Sequence, residues 1–115
     1  MSLLESMQRS RRRSRRQAAR QEITVEWRRN AWGFARRVQA LLDISQDGIR
    51  VATRGDLTVG DQVEIHITGV ARRHVIHRTA RVVWALPAEG GFVCAGFRFL
   101  RSLPLADVVA MTKAD

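Results

Sequence analysis

Two groups of residues in this 115-residue chain have types and spacings suited to capturing an anion that also offers hydrogen-bond donors. The first is an arginine block: seven of the first twenty residues are arginine (Arg9, Arg11, Arg12, Arg13, Arg15, Arg16 and Arg20), against one acid, Glu5. A guanidinium keeps its charge and holds its donors in a rigid fork, so it pairs bidentately with phosphate oxygens or with the O6 and N7 edge of a guanine. The second group is the stretch Asp43, Ile44, Ser45, Gln46, Asp47, Gly48. The Asp43 carboxylate only accepts, and suits the N1–H and N2–H2 edge of a guanine or the bracing of an arginine. Ser45 donates or accepts within the turn, and Gly48 permits positive φ or the close approach of a ligand. Each group also has an ordinary reading. A basic block is commonly a solvated tail, and Asp, Ser and Gly are favoured in turns for local reasons.

Positioning such groups takes a scaffold, and the pattern after Arg20 is that of strands. Ile23, Val25 and Trp27 alternate with Glu22, Thr24 and Glu26, the period of a half-buried strand. A turn at Arg28, Arg29, Asn30 and Gly33 leads to a second expected strand from about Phe34 to Leu42. Asp43 to Gly48 is the tight turn before a third, which contains Ile49 and Val51. A loop with Gly55, Asp56, Gly60 and Asp61 precedes Val63, Ile65 and Ile67, the clearest alternation in the chain. A fifth strand is expected from about His74 to Ala85, then a hairpin marked by Pro87, Gly90 and Gly91, then a sixth from Phe92 to Phe99. Six short strands with no crossover helix predict an all-β, antiparallel barrel. Pro104, Leu105, Val108, Val109 and Met111 predict a short C-terminal helix capping it. The expected organisation is an arm over 1–20, a barrel over 21–102 and the helix segment over 103–115.

Charge and composition exclude several classes. The formal charge is +9, most of it in the arm, so nucleic acid, a phosphorylated ligand or an acidic membrane surface are the partners to consider. No apolar run approaches the roughly 18 residues of a membrane span, and the apolar residues of 1–8 precede the arginines, the reverse of a secretory signal. The single cysteine, Cys94, fits a reducing cytoplasm and cannot build a structural zinc site.

The order Arg16-x-x-x-Arg20 followed by Asp43-x-Ser45-x-x-Gly48 resembles the PilZ domain family, whose signature is R-x-x-x-R and then D-x-S-x-x-G on a six-stranded barrel. Leu57, Gly60, Asp61, Val63 and Ile65 look like that family's loop into its fourth strand, and Val82, Val83, Trp84, Gly96 and Phe99 resemble its closing strands. The likeness covers about residues 9 to 100. It implies a cytoplasmic receptor for cyclic di-GMP rather than an enzyme, with Arg16 and Arg20 holding guanine and phosphate, Asp43 and Ser45 meeting the ligand from the barrel, and Gly48 keeping the wall open. Arg15 adds a third guanidinium, which points to an intercalated ligand dimer. The implied mechanism orders the arm on ligand binding and signals to a downstream protein. The alternative of a different class is a small basic β-barrel that binds RNA or DNA through its arginine arm.

Other reactive types carry less. His74 and His77 fall on opposite faces of an expected strand, so His66, His74 and His77 are read as surface or cross-strand residues with no metal. Cys94 is expected as a small core residue, and Trp27 and Trp84 as core or barrel-end residues. Trp32, beside Gly33, is expected to pack in its loop, with exposure to a partner as the alternative. No phosphate loop, carboxylate pair or Ser-His-Asp order is present.

Overall fold

A computed structural model describes residues 23–30, 32–69 and 75–112; the arginine arm with Arg15, Arg16 and Arg20, and also His74, lie outside the described residues. The strands are β1 (Ile23–Arg28), β2 (Arg36–Arg37), β3 (Ala40–Ile44), β4 (Gly48–Thr53), β5 (Gln62–Gly69), β6 (Val75–Pro87) and β7 (Val93–Phe99), followed by helix α1 (Leu105–Thr112). All pairings are antiparallel, in the order β2-β1-β5-β6-β7-β4-β3.

The described strands number seven rather than six, because the expected second strand divides between two partners. Arg36 and Arg37 pair with β1, and Val38 donates its N–H to Val25 O at 2.9 Å. The next residue, Gln39, donates to Ala52 O on β4 at 2.8 Å. The chain thus changes partner within one residue. Both edge strands of the sheet are consecutive pieces of one stretch, so the sheet curls until its edges are joined by the chain itself, which removes most of the exposed edge. Alternation in sequence reports which face a residue occupies and is silent about which strand it bonds, so this division leaves no trace in the pattern.

Inside the curl, Val25 and Trp27 of β1 and Val63, Ile65 and Ile67 of β5 meet Ile49 and Val51 of β4 and Phe97 of β7. Trp27 donates its indole N–H to Thr53 Oγ1 at 3.0 Å, satisfying two buried polar groups across the interior. The C-terminal helix closes one end, but with a narrower apolar face than expected. Leu103, Val108 and Met111 are buried, whereas Leu105 and Val109 point outward.

On the outer face of β1, β5 and β6, Glu26, His66 and His77 are aligned in register. The two imidazoles lie 4.3 Å apart, and His77 Nε2 lies 3.0 Å from Glu64 Oε2. Partial burial, and then the neighbouring His77 and Arg28, hold the His66 pKa below its ordinary value of 6.5, outweighing Glu26 and Glu64. A histidine that binds its proton less readily folded than unfolded leaves stability intact above pH 6.5 and erodes it as pH falls below that value. Denaturant midpoints measured at about pH 7.5 and about pH 5.5 should fall with acidification, and His66→Gln should flatten that part of the dependence.

Candidate ligand-binding site

The turn between β3 and β4 is held from within and from outside. Ser45 N–H donates to Gly48 O at 2.9 Å, its hydroxyl lies 3.4 Å from the same carbonyl, and Asp47 N–H donates to Ser45 Oγ at 3.2 Å. The segment leaving β7 grips the other side: Phe99 N–H donates to Asp47 O, Leu103 N–H to Gln46 O, and Gln46 Nε2 to Leu103 O. Ser102 Oγ donates to Asp47 Oδ1 at 3.2 Å. Ser45 is fully buried in this arrangement and shapes the turn.

Gly48 serves a different need from the one expected. It does not have positive φ, and what its missing Cβ admits is protein rather than ligand, since a Cβ there would lie 2.1 Å from the Phe97 carbonyl oxygen. The glycine lets β4 and β7 approach at the point where the turn begins.

Two register shifts decide which side chains stand beside this turn. In β3, Leu41 opposes Val51 with its side chain toward the core, and regular pairing would send Asp43 to the same face. The shift between Leu41 and Asp43 inserts one residue, so Asp43 opposes Arg50 on the outer face and Ile44 opposes Ile49 in the core. In β6 a second shift between Val82 and Trp84 does the same: Val82 opposes Phe97 in the core, and Trp84 opposes Gly96 on the outer face. Asp43, Arg50, Gly96 and Trp84 therefore form one row across β3, β4, β7 and β6. The neighbouring row is Gly48, Arg98 and Arg81, both arginines being exposed.

Within the first row, Asp43 Oδ2 lies 3.7 Å from Arg50 Nε. Both residues are buried although they face away from the core, Arg50 being 3% exposed. The Trp84 indole lies on Gly96, where a Cβ would approach Nε1 to 2.2 Å. The ring is half-buried and presents an aromatic surface in line with the carboxylate, a correction to its expected placement in the core or at a barrel end. Cys94 is buried too, but on this outer face, opposite Ala52 and Leu86, and burial raises its thiol pKa. Of the six residues named from sequence, the structure brings together Asp43, Ser45 and Gly48. It adds Arg50, Arg81, Trp84 and Arg98, which sequence reasoning did not select. Only knowledge of the two shifts and the strand register could have joined them.

The start of β1 lies at the same end of the sheet as this turn, so the arm joins the domain there: Ile23 opposes Gly69 at the end of β5, and the seam between β1 and the β2–β3 stretch begins at Val25. Among the described residues no group of His, Cys, Asp and Glu is arranged to hold a metal ion. No described helix is long and apolar enough to cross a membrane.

A sequence profile of the PilZ domain matches residues 10–112. The chain belongs to the PilZ domain family. Its match includes residues 10–20 of the arm, the curled sheet and all of α1. Comparison with curated protein sequences gave no match. Among solved structures, the chain is similar to the Bacillus subtilis inhibitor of motility MotI/DgrA, with a TM-score of 0.63 and 16% identity over 90% of this chain and 49% of that one. It is also similar to the PilZ domain of YcgR from Escherichia coli, a structure with c-di-GMP, at a TM-score of 0.58 and 20% identity over 79% of each chain. The chain thus spans about half of MotI/DgrA, and at these identities the two likenesses establish the shared fold.

Since the Gly48 position is closed by the Phe97 carbonyl, Gly48→Ala should destabilise the domain by about 2 kcal/mol or more. Thermal unfolding without any ligand measures this; a melting temperature equal to wild type would show that the glycine is not needed for packing.

Proposed function

We propose that this PilZ domain is a receptor for cyclic di-GMP. The observation that carries the reading is the row of Asp43, Arg50, Gly96 and Trp84, which starts beside the braced turn at the end of the sheet where the arm enters. The carboxylate suits the donor edge of one purine, and the aromatic plane, three strands or about 14 Å away, suits the face of a second. The exposed Arg81 and Arg98 in the next row suit its phosphates.

Arg16 and Arg20 of the R-x-x-x-R motif supply the other half of the site. Arg20 is three residues and Arg16 seven residues from Ile23, so the two guanidinium groups are within about 10 Å and about 25 Å of chain from the domain. Ligand binding orders this arm over the outer face, charge-assisted bonds offsetting the lost chain entropy. Arg15 brings a third cation and favours an intercalated ligand dimer. The ordered arm and the ligand together form the surface that a downstream protein reads, in the cytoplasm and without any chemical step.

The test is calorimetry with cyclic di-GMP, using GTP and cyclic GMP as controls. Loss of each charge-assisted contact costs about 1.5–3 kcal/mol, so the Arg16→Ala, Arg20→Ala double variant should bind at least a hundredfold more weakly. An unchanged affinity in that variant would overturn the reading. Two ligands per chain are expected, and one ligand per chain would remove the dimer. Asp43→Asn is the informative substitution on the barrel side, because it keeps the shape and one acceptor beside Arg50 while replacing with a donor the second acceptor that the N1–H and N2–H2 edge of a guanine needs. A nucleic-acid binder would tolerate Asp43→Asn and lose affinity steeply with salt.

A further inference from the structure

The end of the sheet opposite the Ser45 turn carries an aromatic tip that the proposed receptor function does not use. Between β1 and β2, Trp32 is 95% exposed and Phe34 97% exposed, well beyond any other large apolar residue described. Trp32 does not pack in its loop as the sequence suggested. The turn that presents it is held by Asn30, whose Oδ1 accepts from Trp32 N–H at 2.9 Å and whose carbonyl accepts from Gly33 N–H at 3.1 Å. Arg29 ties the base of the turn to the neighbouring loop through Asp61 at 2.8 Å, and that loop carries Val59, also exposed.

Charge surrounds the aromatics. Arg28 and Arg29 precede them, Arg36 and Arg37 follow, and Arg54 stands at the same end over the Phe92 ring at 4.3 Å. The acids at this end are Asp56, Asp61 and Glu89, with Asp61 paired to Arg29, and Glu64 and Glu26 oppose Arg28 and Arg37 across the ladders. These leave Arg36, opposite Trp27, and Arg54, over Phe92, to meet an anion.

We propose that the Trp32 and Phe34 tip docks on an anionic lipid bilayer, the two rings entering the headgroup region and the flanking arginines meeting lipid phosphates. Area favours this occupant over a protein. Two aromatic side chains offer roughly 300–500 Å², whereas a stable protein contact takes about 800 Å² from each partner. A bilayer interface needs no matching surface, is where tryptophan settles, and attracts arginine when its lipids are anionic. The tip lies at the end of the strands opposite the Ser45 turn, so the inference stands whichever ligand that turn takes.

The experiment is sedimentation of the full chain with vesicles of phosphatidylcholine, with and without phosphatidylglycerol. The Trp32→Ala, Phe34→Ala double variant keeps every charge, including the arm's, so it separates ring insertion from adsorption by arginine. Partition onto the anionic vesicles should fall about tenfold or more in the double variant, and its melting temperature should match wild type because both side chains are exposed. Trp32 emission, taken as the difference between wild type and Trp32→Phe, should shift to the blue and be quenched by brominated lipid. Equal partition of wild type and double variant would overturn the proposal and assign adsorption to the arginines. An unquenched Trp32 would also overturn it and leave a protein as the occupant of the tip.

Discussion

The outer face of this domain depends on two inserted residues. A strand has a period of two, so one extra residue exchanges the faces of everything beyond it. The shift between Leu41 and Asp43 sends Asp43 outward and Ile44 inward, and the shift between Val82 and Trp84 sends Trp84 outward across Gly96. Without the first, a carboxylate would enter a core of isoleucine and valine, where an unpaired charge costs several kcal/mol or is neutralised. The hydrophobic pairs Ile44 with Ile49 and Val82 with Phe97 therefore lock the same register that aims the polar row. Core packing and site geometry are one constraint seen from two sides of a sheet.

The braced turn extends that constraint to the C-terminus. Gln46 and Asp47 exchange bonds with the backbone and side chains of Phe99, Ser102 and Leu103, and Leu103 is buried beside Val108 and Met111 of α1. A displacement of the turn would strain the approach to the helix, and the helix cannot leave the barrel end without releasing the turn. A wall held this way needs no reorganisation when something binds to it, so the ordering cost of binding falls on whatever closes over the wall.

How much of this was legible in the sequence varied with the physics behind each feature. The alternation in β1 and β5 announced those strands, because burial of one face is written directly into residue type. Gly90 and Gly91 announced their hairpin, and both have positive φ, which only glycine adopts freely. The division of β2 from β3 was not legible, because both halves keep an ordinary strand pattern while their hydrogen bonds go to different partners. Nor were the shifts legible, since an inserted Leu42 or Val83 reads as one more apolar residue in an apolar stretch. Asp43, Ser45 and Gly48 were found by type and order, but the reason for Gly48 was not, because the Phe97 carbonyl that excludes a Cβ comes from a strand some fifty residues away. Trp84 and Arg50 were missed for the same cause: cross-strand neighbours are set by register, and register is a tertiary fact.

The buried Asp43 and Arg50 pair is the one feature of the row that stability alone does not explain. An ion pair withdrawn from water recovers in Coulomb attraction only about what it loses in hydration, and two well-packed apolar residues would commonly hold the strands as well. Its value lies in direction. Arg50 holds the carboxylate of Asp43 on the outer face, in one row with Gly96 and the indole of Trp84, so the acceptor keeps a fixed position instead of sampling rotamers. The same coupling means that deleting Asp43 outright removes the counter-charge of a buried guanidinium, and the domain loses stability along with any acceptor function. Binding chemistry and folding are therefore separable at this position only by a substitution that preserves shape and polarity, whereas on the exposed arginines of the next row they are separable by truncation.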